Sequence, residues 1–163
     1  MSEFNSLSKV SRVLGRSMVA WLASTLCTYL LAALFHTQRV LAELQGLGVS
    51  IPIDQRIKMT LHDMAGLSAY AVVIGVGLLL AMSVFSVFYA LKWLKGPVWY
   101  VLAGAIAMAT ILLSMWVLFS FTPIAGARGI LGIVLQLLAG SVGGWVFARL
   151  MGVSHPAEAS QSG

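Results

Sequence analysis

Apolar residues in this chain do not alternate with polar ones; they run on. Four stretches, 17–35, 65–91, 98–121 and 129–150, are almost continuously apolar. Each is close to or longer than the roughly 20 residues a helix needs to cross a hydrocarbon core about 30 Å thick. A membrane strand would show segments of about ten residues with alternating polarity, and these runs show none. Backbone groups in lipid must satisfy one another within the segment, so each stretch is predicted to be a helix. The connections at 92–97 and 122–128 are short and force antiparallel neighbours. Pro97 suits the first turn of the third span, where no backbone donor is needed. The predicted fold is all-α, a polytopic integral membrane protein built as an antiparallel bundle of four transmembrane helices.

Between the first two spans the pattern changes. Val40, Leu41, Leu44 and Leu47 continue a helical period beyond Phe35, and Gly46 and Gly48 offer a stop. After the break at Pro52, Asp54 reads as the N-cap of a helix that runs on into the second span. Ile57, Leu61 and Met64, at i, i+4 and i+7, read as its buried stripe. The first two helices are therefore expected to extend beyond the outer face as a hairpin over 36–64. The chain divides into an N-terminal segment (1–16), a transmembrane domain (17–151) and a small, polar tail (152–163) expected to be disordered.

Composition agrees with lipid as the main solvent and partner. Hydrophobic residues make up 60% of the chain and charged ones 9%, against roughly 25% charged in soluble domains. Mean hydropathy is +0.94. The net charge of +5 comes without a dense basic run or a basic–aromatic face, so no nucleic-acid partner is expected. Lys and Arg gather at the ends of the spans. Six (Lys9, Arg12, Arg16, Lys92, Lys95, Arg149) fall on one side and four (Arg39, Arg56, Lys58, Arg128) on the other. Basic residues favour the cytoplasm. Both termini are accordingly expected there, in a bacterial inner membrane, with Trp93, Trp99 and Tyr100 at the cytoplasmic interface. The first span is too long for the roughly 7–15 apolar residues of a signal peptide and is read as retained. Cys27, the sole cysteine, excludes an internal disulfide.

Helices in lipid associate through small residues and buried polar contacts. In the fourth span Gly129, Gly132, Gln136, Gly140 and Gly143 recur at spacings of three and four, with a Gly140-x-x-x-Gly144 motif. That stripe reads first as packing within the bundle, and second as a seam for a second copy or another membrane protein. Gln136 requires a partner, with Thr110 or Ser114 as candidates on the third-span face that includes Ala103 and Ala107. In the first span Trp21, Thr25, Thr28, Ala32, His36, Arg39 and Glu43 share one face, while Leu22, Leu26, Leu30 and Leu34 point to lipid.

No span has an ionisable residue at its middle, which argues against an ion-coupled transporter. The titratable groups instead collect at the outer edge: His36, Arg39, Glu43, Asp54, Arg56, Lys58, His62 and Asp63. His36 and His62 are the types that ligate haem or a metal, but His62 falls beside Lys58 and Gln55, so neither metal nor cofactor is expected. Arg39 and Glu43, one turn apart, should pair. Arg128 reads as an interfacial anchor. No nucleophile elbow, zinc motif or phosphate loop occurs, so no catalytic residue is assigned and an enzyme is not expected. Two functions remain. The first is a non-enzymatic accessory or assembly subunit, acting through the fourth-span stripe and the outer hairpin. The alternative is a lipid- or small-molecule-binding protein, transport-related or haem- or quinone-linked. Its site would lie at the outer end, bounded by Tyr29, His36, Arg39, Asp63 and Tyr70.

Overall fold

The computed structural model describes residues 2–93, 96–120, 124–127 and 129–153 (2–10 and 119 by backbone only). The expectations for the side chain of Lys9, for Lys95 and Arg128, and for residues 154–163 of the tail lie outside the described residues. The elements are α1 (Ser2–Gly46), α2 (Ile53–Gly66), α3 (Ser68–Ala90), α4 (Val98–Phe119) and α5 (Gly129–Met151), with a 3-10 turn at Ala125–Ala127. No strand occurs among the described residues. Four helices, α1, α3, α4 and α5, are long and apolar enough to cross a membrane.

α1 contains 45 residues, about 67 Å at 1.5 Å per residue, so it overshoots the bilayer core. Its end is a left-handed glycine cap. Gly48 has φ +86, its N–H donates to the Gln45 carbonyl, and the Val49 N–H donates to the Leu44 carbonyl. This is the Schellman arrangement, which satisfies carbonyls the helix leaves unpaired. Gly152 (φ +71) and Val153 close α5 in the same way, onto Arg149 and Ala148. The first two residues assigned to the tail therefore belong to a helix cap.

The four long helices form a ring in the order α1, α3, α4, α5. α5 makes the most extensive contacts, with α4 and with α1, and the α1–α3 seam is the slightest. Alanines line the interior (Ala20, Ala32, Ala33, Ala103, Ala107, Ala139, Ala148) beside Ile74, Leu78, Met82 and Met108. Leu22, Leu26, Leu30 and Leu34 face outwards, as their stripe predicts.

Several expectations are corrected. The helix after Pro52 does not run unbroken into the second span. It stops at Gly66, and α3 begins at Ser68 after Leu67 (φ −85, ψ 16). The Leu67 N–H closes α2 on the Asp63 carbonyl, while the Leu67 carbonyl accepts the Tyr70 and Ala71 N–H groups of α3. Asp54 is not the N-cap: Pro52 holds that place and makes no side-chain cap bond. Asp54 lies in the first turn, 3.9 Å from Lys58. Ile57 and Leu61 are exposed rather than buried. Tyr100 lies in the core, its ring tilted against that of Phe147 with centroids 5.4 Å apart, so only Trp93 and Trp99 of the three interface aromatics remain outside.

Candidate functional site

The glycine stripe of α5 is occupied within the chain. Gly132, Gln136, Gly140, Gly143 and Gly144 are buried; Gly129, with φ +78 and open space around it, is exposed. A Cβ on Gly140 would overlap the Gly104 carbonyl, and one on Gly144 the Tyr100 carbonyl. Two backbones touch there, which is what small residues permit in lipid. On the other side of α5, a Cβ on Gly143 would meet the Thr28 hydroxyl, and one on Gly132 the Gly126 carbonyl. Gly104 is the α4 partner that the sequence stripe did not include. Its signal was the small-residue run Ala103-Gly104 one step from the face assigned.

Polar side chains knit α1 to both neighbours. Ser24 Oγ donates to the Gly143 carbonyl at 2.7 Å, and Trp21 Nε1 donates to the Gly75 carbonyl at 2.9 Å. Gln136 does not use Thr110 or Ser114, which lie on the exposed side of α4. Its Nε2 donates to the Ala32 carbonyl (3.1 Å) and its Oε1 accepts from the Tyr70 hydroxyl (3.3 Å). The amide thus joins α1, α3 and α5 at a point 0% exposed.

At the hairpin end each residue proposed for a ligand has a partner of its own. The Tyr29 hydroxyl donates to the Met64 carbonyl. Asp63 Oδ2 accepts from the Thr37 hydroxyl at 2.9 Å. Arg39 pairs with Glu43 at 2.9 Å, as expected. His36 Nδ1 accepts from the Gly126 N–H at 3.0 Å. Tyr70 belongs with Gln136, deeper in the bundle. Four shallow apolar grooves run along the α1–α3, α3–α4 and α4–α5 seams, and among the described residues none of the five lines them; one of these grooves, about 250 Å³, separates α1 from α3 beside Met18, Trp21 and Ser83. Among the described residues no three His, Cys, Asp or Glu side chains converge, and His62 is exposed.

What α2 leaves open is one apolar flank. Its Asp63–Met64 side docks on α1, while Ile53, Ile57 and Leu61 are 76%, 56% and 63% exposed. Leu47, at the tip of the hairpin, is 81% exposed.

Together these features define a four-span α-helical integral membrane protein with a helical hairpin on one side. No family model, curated protein or solved structure matches the chain.

Proposed function

We propose that the chain is a non-enzymatic accessory or assembly subunit of a bacterial inner membrane. Its termini are cytoplasmic, and it associates with a second copy or another membrane protein through the outer hairpin. The carrying observation is the apolar flank Ile53–Ile57–Leu61, which the chain leaves uncovered. Contiguous apolar surface rising out of the spans is costly in water and marks an interaction face. The α5 stripe, the other surface the sequence offers, supports packing inside the chain instead, because Gly132, Gly140, Gly143 and Gly144 are filled by Gly126, Gly104, Thr28 and Tyr100.

A photo-crosslinker at position 57, used in native membranes, tests the reading. Expected is a protein adduct of discrete mass that disappears in Ile53→Asp/Leu61→Asp. A chain that yields only lipid adducts there, and is strictly monomeric by native mass spectrometry from mild detergent, overturns it.

A further inference from the structure

We propose that His36 is a proton-operated latch between α1 and the α4–α5 connection. Neutral, it holds the connection against α1; protonated, it releases the Gly126 N–H and turns to Asp63. The proposal stands on the hairpin end of the bundle and does not depend on the docking reading.

The geometry fixes the protonation state. A backbone N–H only donates, so the His36 Nδ1 that receives it at 3.0 Å carries no proton. The ring is then the neutral Nε2–H tautomer. Taking a proton from water at Nδ1 turns acceptor into donor and sets two N–H groups against each other. The Gly126 N–H bond must break.

The contact has no slack to absorb that change. Gly126 is buried, and a Cβ there would overlap the His36 backbone and approach Nδ1 to 2.8 Å. Gly132 of α5 packs in turn under the Gly126 carbonyl. The connection cannot slide along α1, so either the imidazolium rotates out or the connection lifts.

The charged surroundings favour the first outcome. From α2, Asp63 acts electrostatically on His36, and its carboxylate is already oriented by the Thr37 hydroxyl. On α1, Arg39 and Glu43 follow one and two turns on and are paired with each other. The 3-10 turn and the first turns of α5 bring no titratable group among the described residues. One carboxylate therefore awaits the charged ring, and one buried amide the neutral one. Half-buried, the ring is held below the ordinary histidine value by desolvation, which the Asp63 charge only partly offsets, so the switch falls towards the acidic end of the range in which histidines operate.

Glycine-selective ¹⁵N and histidine-selective ¹³C labelling of the full chain in lipid nanodiscs, titrated from pH 8 to 5, tests this. The Gly126 amide resonance should move with the same midpoint as the His36 ring. Its hydrogen exchange, relative to the intrinsic rate at each pH, should rise at least tenfold. His36→Asn, whose side-chain oxygen accepts without titrating, should leave Gly126 protected and unresponsive to pH. The proposal is overturned by a Gly126 amide that stays put while His36 titrates, by a His36 that remains neutral down to pH 5, or by a Gly126 transition that persists in His36→Asn. The first two outcomes are read on the native chain, so the test holds even if the variant does not fold.

Discussion

The glycines of α5 differ in what a single methyl group would do. At Gly144 it would meet the Tyr100 carbonyl, and at Gly140 the Gly104 carbonyl, both backbone atoms that cannot swing aside. Gly144→Ala should cost about 1–3 kcal/mol, the usual range for overpacking, and Gly140→Leu at least as much. Both are measured by reversible denaturant titration in mixed micelles. Gly66→Ala, with open space around it and no positive φ, should be neutral or stabilise by up to about 1 kcal/mol. Equal losses at Gly66 and Gly144 would refute the packing described. Gln136→Leu strands the Tyr70 hydroxyl and removes the donor to the Ala32 carbonyl. Interhelical polar contacts in lipid are worth about 0.6–2 kcal/mol, and a loss of that size is expected in the same titration. At this scale the sequence was informative about which residues are special and silent about whom they meet. Spacings of three and four marked Gly132, Gln136, Gly140 and Gly143, but the partner of Gly140 is Gly104, on another helix whose rotation no single sequence reveals. Thr110 and Ser114 misled because a hydroxyl in a span can turn back on its own helix. Thr110 does so, donating to the Ile106 carbonyl at 2.8 Å.

Among the elements, α2 departs most from its sequence pattern. The i, i+4, i+7 rule assigns apolar residues to the buried side, and it would bury Ile57 and Leu61. In the structure α2 turns Asp63 and Met64 towards α1, where Thr37 and Tyr29 supply a hydroxyl to each. Two side-chain bonds to α1 set the rotation of a helix that is only 14 residues long. The break at Leu67 lets α2 keep that rotation while α3 follows the bundle. Asp63→Ala should therefore loosen α2 selectively. Hydrogen exchange across 53–66 is expected to accelerate about tenfold, while α4 is unchanged. Uniform acceleration in both would mean that the carboxylate supports the whole fold instead. The long apolar runs were legible because length and hydropathy alone specify a span. The short amphipathic one was not, because its neighbour is a narrow, partly polar helix rather than an apolar core.

At the scale of the molecule, the proposed orientation places the hairpin outside and both termini in the cytoplasm. On a Cys27→Ser background, Gln45→Cys should react with an impermeant maleimide in intact cells. Ser11→Cys should react only after permeabilisation. The reverse pattern would invert the topology without altering the fold. The ring closes between its first and last helices, and that closure uses donors and acceptors over 100 residues apart. Ser24 reaches Gly143, Ala32 receives Gln136, and Arg16 Nε donates to the Leu150 carbonyl at 2.7 Å. During synthesis at about 5–20 residues per second, that separation corresponds to roughly 5–27 s. For that interval the newborn first helix sits in the membrane with Ser24 and Thr28 lacking the glycine groove that will receive them. Until α5 arrives, Ser24 lacks the Gly143 carbonyl and must turn its hydroxyl back on its own helix or borrow an acceptor from the insertion machinery or the second and third spans. Ribosome-bound chains arrested before α5 emerges should therefore be the most protease-sensitive species in its biogenesis.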